Sequence, residues 1–194
     1  MKIPRMIMIL SCIAFILSCS ERTSKTITMN KNDPSLAQRG KYLYFKDQPA
    51  EGMIVEYYAS GKLKSKTLYK NGLMDGPCKS WYEEGEKESV RFYLLGEKQG
   101  LHLGWWPNGN PKFQYQFANG SYDGSFKEWY ENGKLLHLFE YNNGAEVSAI
   151  GWRENGKTYI NFAVRNGRKY GLTNSRLCFS LKDEQGVYQS TSNN

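Results

Sequence analysis

The chain is poor in the residues and patterns that enzymes use. It has two histidines, His102 and His137, and six prolines in 194 residues. Its longest apolar stretch, Met6 to Leu17, is broken by Ser11 and Cys12 and falls short of the ~20 residues that a spanning helix needs. G-x-S-x-G, H-E-x-x-H, a phosphate-binding loop and paired Cys-x-x-Cys are all read as missing, so acyl transfer, zinc-protease, nucleotide and dithiol chemistry are not expected. Lys and Arg outnumber Asp and Glu by seven. They are scattered along the chain instead of forming a run, which argues for a solvated surface and against a nucleic-acid partner. The acidic residues read as turn and solvent-facing positions. No catalytic residue, metal site or cofactor site is expected.

What the chain does have is a repeat. Gly52, Gly76, Gly100 and Gly124 are 24 residues apart, and each opens a unit G-x-x-x-x-[WY]-[YW]-x-x-G-x(10)-G. A unit of this size can bury its apolar surface only against its neighbours. Asn-Gly occurs at 71, 108, 119, 132, 143, 155 and 166 between β-prone runs, and it is the strongest short hairpin signal because both residues tolerate the positive φ of a type I′ turn. The expected fold is therefore all-β, a single-layer antiparallel meander of tandem 24-residue hairpins. Tyr42 to Phe45 and the turn after it lead into the first copy. Trp152 to Gly156 and Asn166-Gly167 repeat the pattern one residue early, as an end-of-array variant.

Tyr57, Trp81, Trp105, Trp129 and Trp152 share one repeat position, and Tyr58, Tyr82, Trp106 and Tyr130 follow directly. Neighbouring strand residues face opposite sides, so each face of the sheet carries an aromatic ladder. One ladder is packing. The other is covered by a further segment or a partner, or stays half exposed. The ladder of Tyr57, Trp81, Trp105, Trp129 and Trp152 is the candidate binding surface. His102 and His137 fall three strand spacings apart, about 14 Å, too far to share a metal.

The amino terminus has its own reading. Lys2 and Arg5 precede the Met6–Leu17 run, which ends in Ile16-Leu17-Ser18-Cys19. A small residue before a cysteine at this place resembles a bacterial lipobox. Residues 1–18 are then a signal peptide and Cys19 is the lipidated first residue of the mature chain. The sorting rule that goes with that resemblance treats Asp after the cysteine as an inner-membrane retention signal, so Ser20 points to the outer membrane where the source has two membranes. The mature net charge is +5, because Lys2 and Arg5 are the only charged residues removed. Residues 19–40 are polar and nearly free of aromatics, a tether that cannot bury enough apolar area to order itself. The array covers residues 41–170, and residues 171–194 form a degenerate cap or tail, with a turn at Lys182 to Gly186.

The unit G-x-x-x-x-W-Y-x-x-N-G-K, as in Gly124 to Lys134, resembles the bacterial variant of the MORN repeat, the membrane occupation and recognition nexus motif, from roughly Tyr42 to Tyr170. The resemblance implies a non-enzymatic binding or scaffold protein, with an envelope polymer or a protein as partner and a membrane reached through the lipid. Many bacterial proteins of this type are grouped with antitoxins, so a protein that sequesters a toxin is the alternative. The export run fits poorly with that alternative. Cys78 and Cys178 would lie about 38 Å apart in an open array, well beyond the ~7 Å that a disulfide allows, so the two thiols are expected to stay unpaired.

Overall fold

The computed structural model of the chain describes residues 27–173, 180–182 and 188–190, and every regular element among them is a strand. β1 (Thr28–Asn30), β2 (Leu36–Arg39), β3 (Tyr42–Phe45) and β4 (Gln48–Pro49) precede the repeats. The four copies follow as β5 (Gly52–Tyr57) with β6 (Leu63–Lys70), β7 (Leu73–Trp81) with β8 (Lys87–Leu94), β10 (Gly100–Trp105) with β11 (Pro111–Ala118), and β12 (Ser121–Trp129) with β13 (Leu135–Asn142). A two-residue strand, β9 (Glu97–Lys98), pairs with β8 beside the main path. β14 (Ala145–Trp152), β15 (Thr158–Arg165) and β16 (Arg168–Leu172) continue the array, and β17 (Ser180–Lys182) pairs with β18 (Tyr188–Ser190) apart from it. From β5 to β16 the strands lie in chain order as antiparallel neighbours of one sheet, the expected meander.

Two kinds of turn alternate, and they divide the Asn-Gly pairs between them. At Asn119-Gly120 both residues are left-handed, φ 49° and 80°, the two-residue type I′ turn that matches strand twist. At Asn108-Gly109 only Gly109 is, with φ 85°. There the Asn110 amide donates to Asn108 Oδ1 at 3.0 Å and the Gly109 amide to Trp106 O at 2.8 Å, a three-residue loop closed by a left-handed glycine. Asn132 and Asn155 behave like Asn108, which corrects the reading of all seven pairs as type I′ turns. The type I′ turns also tie successive units together: the amides of Gly72, Gly96, Gly120 and Gly144 donate to the carbonyls of Ala50, Met74, Lys98 and Tyr122 at 2.8–2.9 Å.

The shortened fifth unit loses its residue from a bulge. Between the pairs Tyr115↔Phe126 and Phe117↔Tyr122, three residues face Gln116. Between Glu140↔Ser148 and Tyr141↔Glu146, only Val147 intervenes. The change is absorbed where the ladder is already irregular, so the register on either side survives.

The amino-terminal expectations are corrected. The tether read over 19–40 is structured from Thr28 onward. β1 runs parallel to β5, with Thr28↔Met53 and Asn30↔Val55, and β2 pairs with β3. Nor does β3 lead into the meander, because it belongs to a separate three-stranded sheet, β2-β3-β4. The physical reason is the exposed end of the array. The first repeat has no predecessor to cover its edge, and Met29 and Leu36 supply the apolar area that a polar tether lacks. Met29, Leu43, Ala50 and Ile54 form a buried cluster flanked by Leu36, Phe45 and Tyr69, each large side chain stabilising by roughly 1.5–3 kcal/mol. Residues 1–26, with the signal segment and Cys19, lie outside the described residues, as does Cys178.

Candidate functional site

The antiparallel register stacks equivalent repeat positions into columns across the sheet. On one face the first strands contribute Ile54, Cys78, His102 and Phe126, and the return strands contribute Tyr69, Tyr93, Phe117 and Tyr141. Their rings touch in sequence: Tyr93 on His102 at 5.6 Å between centroids, His102 on Phe117 at 4.6 Å, Phe117 on Tyr122 at 4.7 Å and Tyr122 on Tyr141 at 5.0 Å. Phe117 and His102 are buried, 3% and 2% exposed. This aromatic face is absent from the sequence reading. Its signal was present, since Tyr69, Tyr93, Phe117 and Tyr141 keep the same 24-residue spacing as the glycines.

Two glycines make room on this face. A Cβ on Gly104 would sit 2.1 Å from Phe113 Cε1, and one on Gly151 would sit 3.1 Å from His137 Cδ2. Neither has a positive φ, so both are needed for space and not for backbone freedom. The Phe113 ring lies across β10 and comes within 5.6 Å of the Arg91 guanidinium. His137 reaches across β14 to Tyr159, Nε2 to Oη 2.5 Å, while its Nδ1 lies 2.7 Å from Glu128 Oε2. The Tyr115 hydroxyl donates to the other Glu128 oxygen at 2.7 Å. With the imidazole neutral, Tyr159 donates to Nε2 and Nδ1–H donates to the carboxylate, so every proton in the chain has an acceptor. Burial, and then the bond to Glu128, push the Tyr115 phenol far above its usual range. It stays a donor at any physiological pH. The network clamps four strands and corrects the reading of the acidic residues as mere surface. Glu56 departs from that reading as well: it holds Lys31 at 2.8 Å and Lys64 at 3.0 Å, and the Lys31 bond holds its carboxyl below the usual value.

Tyr57, Trp81, Trp105, Trp129 and Trp152 do form a column, each at a register shift that ends its strand. Tyr57 is exposed and the four tryptophans are half-buried. Among the described residues none of these five rings stacks on another aromatic. The following residues act as ties: Tyr58, Tyr82 and Tyr130 donate their hydroxyls to the carbonyls of Trp81, Trp105 and Trp152 at 2.9–3.0 Å, and Trp106 Nε1 donates to Trp129 O at 3.1 Å. One ladder therefore bonds the backbone of the other, unit to unit. His102 and His137 stand on β10 and β13 with separate partners; His102 Nε2–H donates to Phe92 O at 2.8 Å, and burial lowers its pKa.

Toward the amino terminus the aromatic face opens into a recess of about 390 Å³, floored by β6, β7 and β8 and walled by the amino-terminal strands through Leu36 and Leu43. Ser65, Thr67, Cys78, Ser80, Ser89 and Arg91 line it. Ser80 and Ser89 hydroxyls lie 2.7 Å apart, and Thr67 Oγ1 lies 3.1 Å from Cys78 Sγ. Cys78 is a thiol without a disulfide among the described residues.

Residues 50–71, 98–119 and 122–143 match the family model described as the MORN repeat variant. These are the hairpins β5–β6, β10–β11 and β12–β13, and β7–β8 completes the series with the same register. The matches support a MORN-type repeat protein, a class of repeat-based binding and scaffold units. No curated protein and no solved structure matches the chain. One stretch corrects the reading that the phosphate-binding loop is missing: Gly151-Trp152-Arg153-Glu154-Asn155-Gly156-Lys157-Thr158 matches its spelling, G-x-x-x-x-G-K-[ST]. That loop works at the start of a helix, whereas here it is the hairpin turn from β14 to β15.

Proposed function

We propose that the chain is an exported, lipid-anchored binding and scaffold protein of a bacterial envelope. Cys19 holds it to a membrane, the outer one where there are two, and the repeat sheet meets a protein or an envelope polymer. The observation that carries the export reading is the Lys2–Arg5 start, the Met6–Leu17 run and the Leu17-Ser18-Cys19 ending. The binding reading is supported by the sheet itself, which presents rows of side chains on a frame held by unit-to-unit bonds.

Metabolic labelling with an alkyne fatty acid, followed by membrane fractionation, tests the anchor. The wild-type chain is expected to take the label and sediment with membranes. Cys19→Ala is expected to lose the label and either leave the membrane or remain unprocessed. Unlabelled wild-type protein, or a Cys19→Ala chain processed elsewhere and still retained, would overturn the reading.

A further inference from the structure

We infer that the recess over β6, β7 and β8 is a binding site for a short acidic saccharide of the uronate class, one or two rings long. The inference rests on the reading of the chain as a binding protein and names its ligand. The recess exists because the repeats differ at fixed positions. Where the third copy places Phe113 and Tyr115 on the aromatic face, the second copy holds Ser89 and Arg91, and the column that carries His102 and Phe126 in the third and fourth copies carries Cys78 in the second. Rings that fill the later part of the face are replaced by small hydroxyl and thiol groups and by one cation.

The groups left around the space define the ligand. Arg91 is exposed, rests on the Phe113 ring, and has no ion pair or hydrogen bond among the described residues. The half-buried Tyr69 and Tyr93 hydroxyls likewise have no hydrogen-bond partner there. Lys31, the other cation of the lining, is already held by Glu56, so a single guanidinium is left to take one carboxylate. One guanidinium with a carboxylate, Glu88, in the same lining suits a single carboxylate and disfavours a phosphate dianion or a polyanion. The hydroxyls of Ser65, Thr67, Ser80 and Ser89 can each donate and accept, which matches the hydroxyls of a sugar. A Glu88 carboxylate can accept from a sugar hydroxyl, and Ile54, Leu43 and Met74 offer an apolar wall to a pyranose C–H face. The volume falls in the range of small-molecule sites. Three rows of side chains two residues apart span about 14 Å along the strands, room for two rings and not for more.

Calorimetry on the full chain, with galacturonic acid, digalacturonic acid, galactose and sodium acetate as titrants, tests the site. Saturable one-to-one binding of a uronate is expected, at least tenfold tighter than galactose or acetate. Arg91→Gln should weaken uronate binding at least tenfold without changing galactose binding. The pair Ser80→Gly with Ser89→Phe transplants the Gly104–Phe113 arrangement into the recess. It should abolish binding while the melting temperature holds or rises. If the transplanted chain fails to fold, Tyr93→Phe serves in its place, with a severalfold loss expected. No saturable uronate binding, equal affinity for galactose, or full binding in the folded transplant would overturn the proposal. Loss of the site with Cys19-dependent anchoring intact would sink the ligand and leave the envelope role standing.

Discussion

The pair Gly104 and Phe113 offers the sharpest test of how this sheet packs. The two residues are register partners on β10 and β11, and the ring occupies the space where a Cβ on Gly104 would stand. One repeat earlier the same pair is Ser80 and Ser89, joined by a 2.7 Å hydrogen bond. Gly104→Ser alone drives a Cβ into a ring held by Tyr115, stacked at 4.6 Å, and overpacking of this kind costs about 1–3 kcal/mol. Phe113→Ser alone removes a half-buried ring. Full burial would set that loss near 3–5 kcal/mol, so roughly 2 kcal/mol is expected. Together the two substitutions rebuild the neighbouring serine pair and remove the clash, so the double variant should lie near the Phe113→Ser value, with a coupling of about 1 kcal/mol or more. Urea unfolding followed by tryptophan fluorescence and circular dichroism measures it, with coincidence of the two probes as the check on two-state behaviour. If the double variant loses the sum of the single losses to within ~0.3 kcal/mol, the ring does not depend on the glycine and the packing account is wrong.

Two further expectations follow from single residues. Burial lowers the pKa of His102, so the unfolded chain takes up its proton at a higher pH than the folded one. Stability is full above the unfolded value of ~6.5 and falls as pH drops below it, by up to about 1.4 kcal/mol per pH unit. Melting curves between pH 7.5 and 5 should show this slope and His102→Phe should flatten it, whereas an unchanged slope assigns the effect elsewhere. Tyr82→Phe removes only the hydroxyl bonded to Trp105 O, and it should cost about 0.5–1.5 kcal/mol without changing the circular dichroism spectrum. No loss would mean that water replaces the bond and that these ties do not hold the units together.

Glycine and asparagine spacing alone determined the class of fold. A 24-residue period with a turn residue at each end leaves a hairpin array as the arrangement in which every unit buries its surface, and the antiparallel meander from β5 to β16 follows from short turns that can join only adjacent strands. The tryptophan column was legible for the same reason. Other features depended on which residues meet across strands. That Asn108 and Asn71 make different turns is set by loop length and by the local bond from Asn108 Oδ1 to the Asn110 amide, which identical dipeptides do not disclose. That Glu128 belongs to a half-buried network required the register that sets Tyr115 and His137 on either side of it. The capping role of Met29 needed the parallel pairing of β1 with β5, a contact between segments about 25 residues apart that no local pattern encodes. The recess is of the same kind: Ser89 and Cys78 read as ordinary strand residues in the sequence, and only the columns of the folded sheet reveal that they stand where the next repeats place rings.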